Sequence, residues 1–486
     1  MLKQKTFFLD QHGCAKNQVD GELMITRLEA MGLVRTDFPE KADLIIVNSC
    51  GFIESAKKES LDSVLNAKNS YPNAKILLAG CLAERYAKIF SSELPEADGI
   101  FGNGDISAID SVVEKLFLGE RPIVTPPQRG VCCGDRNLLL NFNGSAYVKI
   151  TEGCDNHCTF CAIPLIRGKL RSRPAKDIVQ EIEFLVHEKN IVEINLIGQD
   201  LAAYGCGKED DVFFDGTNGH SAMFEKQKSP IFKTENNLKT EKSYLLRLLQ
   251  EIAKIDGKFW VRLLYIHPDH FDLDILQLIK TDLRFLPYFD IPFQSGSTSV
   301  IGAMNRKGSA EDYISLVEKI KSEIPNVCIR TTFLTGFPGE KEENALETQE
   351  FLKKIQSDWS GCFSYSKEED TPAARFSGKV PKKIALQRAK VLESIQEKIT
   401  EERLSLRLGE VYDVLVEEIV APSEQSDSGL AIGRTWFEAP EVDGNIVIRY
   451  ELDDKRAVNS IVPGKFVRVK ALSVSGVDID GIFVGE

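Results

Sequence analysis

Short runs of uninterrupted apolar residues alternate with longer stretches of helical periodicity through most of this chain. A run that is apolar at nearly every position predicts a strand buried on both faces of a parallel sheet. Early in the chain such runs are Thr6–Leu9, Asp43–Asn48 and Lys75–Gly80, with helical patterns over Gly21–Met31 and Ser55–Asn69. These predict an open parallel α/β domain over residues 1–118. Glu120–Gly144, rich in Gly, Pro and polar residues, is expected to be a linker.

The alternation resumes over residues 140–371. Strands are predicted at Ala146–Ile150, Glu193–Ile197, Trp260–Tyr265, Tyr288–Ile291, Cys328–Phe333 and Cys362–Tyr365. Helical patterns fall between them at Ala175–Lys189, Tyr244–Ile255 and Ala310–Ser322. Six such units predict a (β/α)6 partial barrel whose chemistry gathers at the carboxyl ends of its strands. A polar stretch over 207–242 interrupts the pattern and is expected to be a surface insertion.

From 373 to 486 the pattern changes. A charged helix over Lys382–Arg407 carries Val391, Ile395 and Ile399 on one face. Short β runs follow at Val411–Val416, Gly429–Gly433, Asn445–Arg449 and Phe466–Ala471, broken by Pro440, Gly444, Pro463 and Gly464. They predict a small antiparallel barrel. The whole chain is expected to be α/β, in three domains.

Composition narrows the class. At 486 residues, 43% hydrophobic and 27% charged, the chain is an ordinary globular protein with more than one core. No apolar run approaches the roughly 20 residues of a membrane span, and no secretory signal precedes His12, so a cytoplasmic protein is expected. The formal net charge of −13 argues against a broad grip on nucleic acid.

The chemistry lies in the cysteines, eleven in all. An odd number without an export signal suits metal binding better than disulfides. Cys154, Cys158 and Cys161 form a C-x3-C-x2-C loop directly after a predicted strand. Three thiolates on one short loop can hold three irons of a four-iron cluster and leave the fourth open to a substrate. The bland alternative is a zinc knuckle completed by His157 or a distant cysteine. Cys14, Cys50 and Cys81 are far apart, but each follows a predicted strand, and parallel strands bring such ends to one edge. Convergence on a second cluster is expected; three buried structural cysteines are the alternative. Cys132, Cys133, Cys206, Cys328 and Cys362 show no ligand spacing.

The Cys154–Cys161 loop resembles the radical S-adenosylmethionine superfamily, which implies S-adenosylmethionine chelated at the open iron and cleaved reductively. Gly13-Cys14-Ala15-Lys16-Asn17, Val47-Asn48-Ser49-Cys50-Gly51-Phe52-Ile53 and Gly80-Cys81-Leu82-Ala83-Glu84-Arg85 resemble the methylthiotransferases. That resemblance implies two [4Fe-4S] clusters, a TRAM-like terminal domain and two S-adenosylmethionine-dependent half-reactions. Lys149–Pro164 and Arg167–Pro174, with Gln199-Asp200, Tyr204-Gly205, Arg262–Tyr265 and Met304-Asn305-Arg306, are similar to the branch that modifies an aspartate β-carbon of ribosomal protein S12. Pro292-Phe293-Gln294-Ser295-Gly296-Ser297 departs: serine stands where that branch has histidine, closer to the branch that modifies adenosine in transfer RNA.

Charge separates the two substrates. Residues 409–486 carry 15 Asp and Glu against 7 Lys and Arg, a formal −8, which suits a basic ribosomal protein better than RNA. Ribosomal protein S12 and an external electron donor are the expected partners, with transfer RNA the alternative substrate and a non-enzymatic iron–sulfur carrier the second alternative. No acid–base side chain is named as catalytic. The S-adenosylmethionine pocket is expected at barrel strand ends, from Gln199, Arg262, Thr332 and Gly336.

Overall fold

Runs such as Leu44–Ser49 and Lys75–Gly80 are buried along almost their whole length, which fixes them inside a sheet covered on both faces. The computed structural model describes residues 4–208, 210, 212, 243–421 and 428–485. The first sheet is parallel and six-stranded: β1 (Thr6–Gln11), β2 (Val34–Arg35), β3 (Leu44–Ser49), β4 (Lys75–Gly80), β5 (Gly99–Phe101) and β6 (Ile123–Val124), in the order β2-β1-β3-β4-β5-β6. Four helices cover it: α1 (Ala15–Ala30), α2 (Glu54–Ser70), α3 (Cys81–Glu93) and α4 (Ile109–Phe117).

Two expectations are corrected here. The stretch read as linker contributes β6 to the first sheet, and its Arg136 ties Glu22 on α1 to Glu181 of the second domain, at 2.6 Å each. Helix α1 begins six residues before Gly21. Its first turns are polar, yet Lys16, Asn17, Gln18, Asp20 and Glu22 are all buried, Lys16 and Asp20 through partners in the second domain. Burial through polar pairing leaves no apolar stripe to read.

The second sheet is also parallel, in the order β14-β13-β12-β11-β10-β7. Its strands are β7 (Ser145–Lys149), β10 (Glu193–Ile197), β11 (Trp260–Leu263), β12 (Phe285–Asp290), β13 (Cys328–Thr335) and β14 (Trp359–Ser364). A two-stranded pair, β8 (Thr151–Glu152) and β9 (Arg171–Ser172), frames the cysteine loop. Helices α5 (Ile163–Ile166), α6 (Ala175–His187), α7 (Tyr244–Ile252), α8 (Ile275–Thr281), α9 (Thr298–Ala303), α10 (Ala310–Glu323) and α11 (Glu342–Ile355) complete the domain. Val148, Leu196, Val261 and Phe289 join Ile178, Leu249, Ile275 and Val317 in the core between sheet and helices. The opposite, concave face carries Tyr147, Ile197, Leu264 and Tyr288. Nearly all of the 207–242 insertion lies outside the described residues.

The long helix α12 (Lys382–Ser405) runs beside the sheet edge, where Arg403 and Arg407 reach Asp358 at 3.1 and 3.0 Å. A closed barrel follows: β15 (Val411–Val420), β16 (Ser428–Arg434), β17 (Ile446–Glu451), β18 (Phe466–Ser475) and β19 (Asp478–Gly485), with α13 (Lys455–Ser460) between β17 and β18. It is not wholly antiparallel, because β17 and β19 pair parallel and close the ring.

The barrel plugs the amino ends of the second sheet. Glu193, at the start of β10, accepts from Arg434 at 2.7 and 3.0 Å, and the Trp359 indole donates to the Phe437 carbonyl at 2.8 Å. Inward-facing acids also alter the charge argument. Glu417 and Glu438 are buried with Arg434 and Thr435, and Asp443 accepts from Tyr288 and Arg330, so these three do not face a partner.

Candidate active site at the mouth between two domains

The first domain covers the carboxyl ends of the second sheet. Lys16 donates to the Gly198 carbonyl just past β10 at 3.0 Å, and on the far side Lys57 and Arg85 pair with Glu368, beyond β14, at 2.9 and 2.6 Å. Both cysteine sets open onto this junction.

Cys14 is the N-cap residue of α1, Cys50 directly follows β3 and Cys81 opens α3. Glycines let the three loops converge. Gly13 has φ +86°, and a Cβ there would stand 3.0 Å from the Cys50 Cβ; a Cβ on Gly51 would stand 2.8 Å from the Cys81 carbonyl oxygen. Asn17 laces the loops together, its amide donating to the His12 and Asn48 carbonyls. Cys81 is buried, and two nitrogens donate to its sulfur: Arg167 at 3.2 Å and Asn103 at 3.3 Å. Asn103, between Gly102 and Gly104, thus serves the cysteine.

The second set lies on the loop between β8 and α5. Gly153 has φ +73°, and a Cβ there would strike the Lys169 carbonyl, so the turn entering Cys154 requires glycine. The loop is pinned at both ends. The Cys154 N–H donates to the Gly168 carbonyl, the Thr159 N–H to that of Met304, and the Asn305 amide to that of His157. Asn156 donates to Asp200 at 2.8 Å, and Asp200 also holds the His270 ring at 2.8 Å.

All six thiols are free. Burial pushes those of Cys50, Cys154 and Cys161 up to about 12, whereas at Cys14 the charges of Lys16 and Arg167 outweigh burial and hold the thiol below its usual range. Ligands on a single ion lie within 4.8 Å of one another, and neither triad forms so tight a group. The trio that is that close, Asp20, Cys132 and Glu152, is already neutralised by Lys149 and Arg167.

The chain divides into three matched segments: Uncharacterized protein family UPF0004 over residues 6–102, the Radical SAM superfamily over 148–352 and a TRAM domain over 408–484. It is 50% identical to the ribosomal protein uS12 methylthiotransferase RimO of Treponema denticola, with 98% of this chain and 100% of the relative covered. The chain belongs to the uS12 methylthiotransferase family. A second family member, from Carboxydothermus hydrogenoformans, is 35% identical over 99% of this chain and all of its own. Among solved structures, the radical S-adenosylmethionine methyltransferase TsrM of Kitasatospora setae, bound to cobalamin and a [4Fe-4S] cluster, matches with a TM-score of 0.52. At 12% identity, covering 76% of this chain and 77% of that one, it shares the fold.

For a uS12 methylthiotransferase the pocket residues named from sequence divide sharply. Gln199 follows β10, and both polar atoms of its amide are buried without a hydrogen-bond partner among the described residues. Orphaned donors and acceptors at a strand end are what a polar cofactor would satisfy. Thr332 lies on the concave side of β13, half-buried. Arg262 is corrected: its guanidinium is fully buried at the plugged end, held by Glu193 and the Thr435 and Trp436 carbonyls, and is structural. Gly336 is corrected too. Its N–H donates to Glu340, and a Cβ there would stand 2.3 Å from that of Ala385, so it is a packing glycine under α12.

Ser295, where the sequence departs from the protein-modifying branch, has a local role. Its hydroxyl is buried, within hydrogen-bonding distance of Thr348 and accepting from the Ser297 N–H, so it shapes a turn against α11. Lys16, Arg167, Asp200 and His267 were not named from sequence as site residues, although the first three lie inside the stretches Gly13–Asn17, Arg167–Pro174 and Gln199-Asp200.

Proposed function

We propose that this enzyme methylthiolates the β-carbon of an aspartate in ribosomal protein uS12. The carrying observation is end-to-end identity of 50% to a uS12 methylthiotransferase, with both cysteine triads intact. In this reading Cys154, Cys158 and Cys161 hold one [4Fe-4S] cluster and Cys14, Cys50 and Cys81 the other. Gln199 and Thr332 contribute to the S-adenosylmethionine pocket. Bound there, clusters and S-adenosylmethionine supply the one-electron cleavage, the methyl group and the sulfur.

The protein's own share is placement and shelter. The glycine turns fix the thiols, and Asp200 steadies the Asn156 side of the loop. His267, its Nε2 3.9 Å from the Cys158 sulfur, is packed beside His270. The first domain, clamped through Lys16 at one side and Glu368 at the other, covers the mouth and keeps water away.

No helix among the described residues is long and apolar enough to cross a membrane. A cytoplasmic site of action and an external electron donor belong to the proposal, as does the preference for uS12 over transfer RNA. The test offers reconstituted enzyme, reductant and S-adenosylmethionine both substrates. A methylthio mass gain on uS12 is expected. A gain on adenosine with none on the protein overturns the reading, and two bound clusters with no transfer to either would favour a carrier.

A further inference from the structure

Two lysines are buried where the first domain meets the second, and they are partnered differently. Lys149 has two carboxylates, Asp20 at 2.5 Å and Glu152 at 2.8 Å. Lys16 has no ion pair among the described residues. Its ammonium donates to the Gly198 carbonyl at 3.0 Å and stands 3.6 Å from the centroid of the Tyr265 ring. An ammonium has three donors, and only one here meets an oxygen. A carbonyl and a ring face offset part of the cost of burying the charge but do not neutralise it.

Its position is equally specific. Lys16 is two residues from Cys14, in the first turn of α1. The carbonyl it touches belongs to Gly198, the next residue is Gln199 with its orphaned amide, and the one after is Asp200, which holds the Asn156 amide beside Cys154. The unpaired cation therefore stands at the edge shared by the two cysteine sets. The Cys14 thiol and the carboxylate of Asp290, at the end of β12, both act on the ammonium without forming an ion pair with it, and Arg330 acts on Asp290 more strongly than Lys16 does. Arg167 is saturated by Asp20, Glu152 and Cys81.

We propose that Lys16 is the receptor for the side-chain carboxylate of the substrate aspartate. The inference rests on the uS12 reading and deepens it. The reacting carbon is bonded directly to that carboxylate, so holding the carboxylate at Lys16 positions the carbon at the shared mouth. The same contact selects substrate class. A neutral amide or a nucleobase leaves the buried ammonium uncompensated, and sites built around a charged partner reject analogues that lack it.

The test uses full-length enzyme with both clusters, S-adenosylmethionine present, and uS12 whose modified aspartate has been mapped by mass spectrometry. Binding of uS12 is compared with that of uS12 carrying asparagine there. Wild-type enzyme should bind the aspartate form about 30-fold more tightly or better. Lys16→Met should bind both forms equally weakly, and Lys16→Arg should recover part of the preference. Iron content and the reduction potentials of both clusters are measured on each variant, which separates a substrate contact from a change at Cys14. A wild-type enzyme that does not discriminate, or a fully loaded Lys16→Met enzyme that still does, overturns the proposal. Transfer to adenosine and none to uS12 by wild-type enzyme overturns the uS12 reading first, and the Lys16 assignment with it.

Discussion

Arg167 and Cys81 belong to different domains, yet the guanidinium of one donates to the sulfur of the other across 3.2 Å. The same nitrogen also donates to Asp20, and the second terminal nitrogen donates to Glu152. Burial raises the Cys81 thiol, and the adjacent positive charge works against that rise. A donor aimed at a cluster sulfur stabilises the more reduced, more negative state. Arg167→Lys keeps the charge but loses the fork, so the potential of the first-domain cluster should fall by about 50 mV, roughly 1.2 kcal/mol for one electron. The other cluster should not move. Potentiometric titration followed by electron paramagnetic resonance checks both.

The two triads should be separable by substitution. Cys81→Ala is expected to halve the iron, from about eight to about four per chain, while S-adenosylmethionine is still cleaved to 5′-deoxyadenosine without transfer. Cys158→Ala should also halve the iron but abolish cleavage. Iron and sulfide analysis with product chromatography reads both outcomes.

Docking of the terminal barrel depends on Arg434. Removing it strands Glu417 inside the protein and leaves Glu193 with Arg262 as its remaining guanidinium partner. Arg434→Ala should cost about 3–5 kcal/mol, as expected when one partner of a buried ion pair is lost. Arg449, exposed and paired with Asp480 at 2.8 Å, is the control: Arg449→Ala should cost about 0–1 kcal/mol. Denaturant unfolding measures each, with proteolysis near Leu408 reporting whether the barrel has come away.

Glu438 makes stability depend on pH. Burial lifts its carboxyl to about 8, against the bonds from Thr435 and the charge of Arg434, with Asp443 adding to the rise. The folded pKa lies above the unfolded one, so the folded form keeps a proton that the unfolded chain gives up above about pH 4.5. Its stabilising contribution is complete below that pH and is lost as pH climbs towards 8. Glu438→Gln removes the dependence. The melting temperature of the variant should therefore exceed that of the wild type by a margin that widens from pH 6 to pH 8.

Much of the fold was readable because parallel strands buried on both faces are apolar at nearly every position. Lys75–Gly80 is such a strand after its first residue, and Glu193–Ile197 has the boundaries expected although Glu193 and Asn195 are polar. The strand-end positions of Cys14, Cys50 and Cys81 follow from the same rule. Two-residue strands such as Ile123–Val124 carry too little pattern to stand out, and β19 hides because Asp478 and Asp480 give way on the same face to exposed Ile482 and Val484. Arg262 misled because an arginine at a strand position has no written direction. Only the arrival of Thr435 and Trp436 from a distant domain shows that it faces the plugged end.

Gly198, Gln199 and Asp200 form a run of three residues that touches Lys16 beside the first cysteine set at one end and Asn156 within the second at the other. That run is a gauge block, and it sets a rule for chimeras. Exchanging the first domain, or the barrel beneath it, between family members should succeed only where the segment after β10 keeps its length. One inserted residue there would leave both halves correctly folded and their metal centres out of alignment.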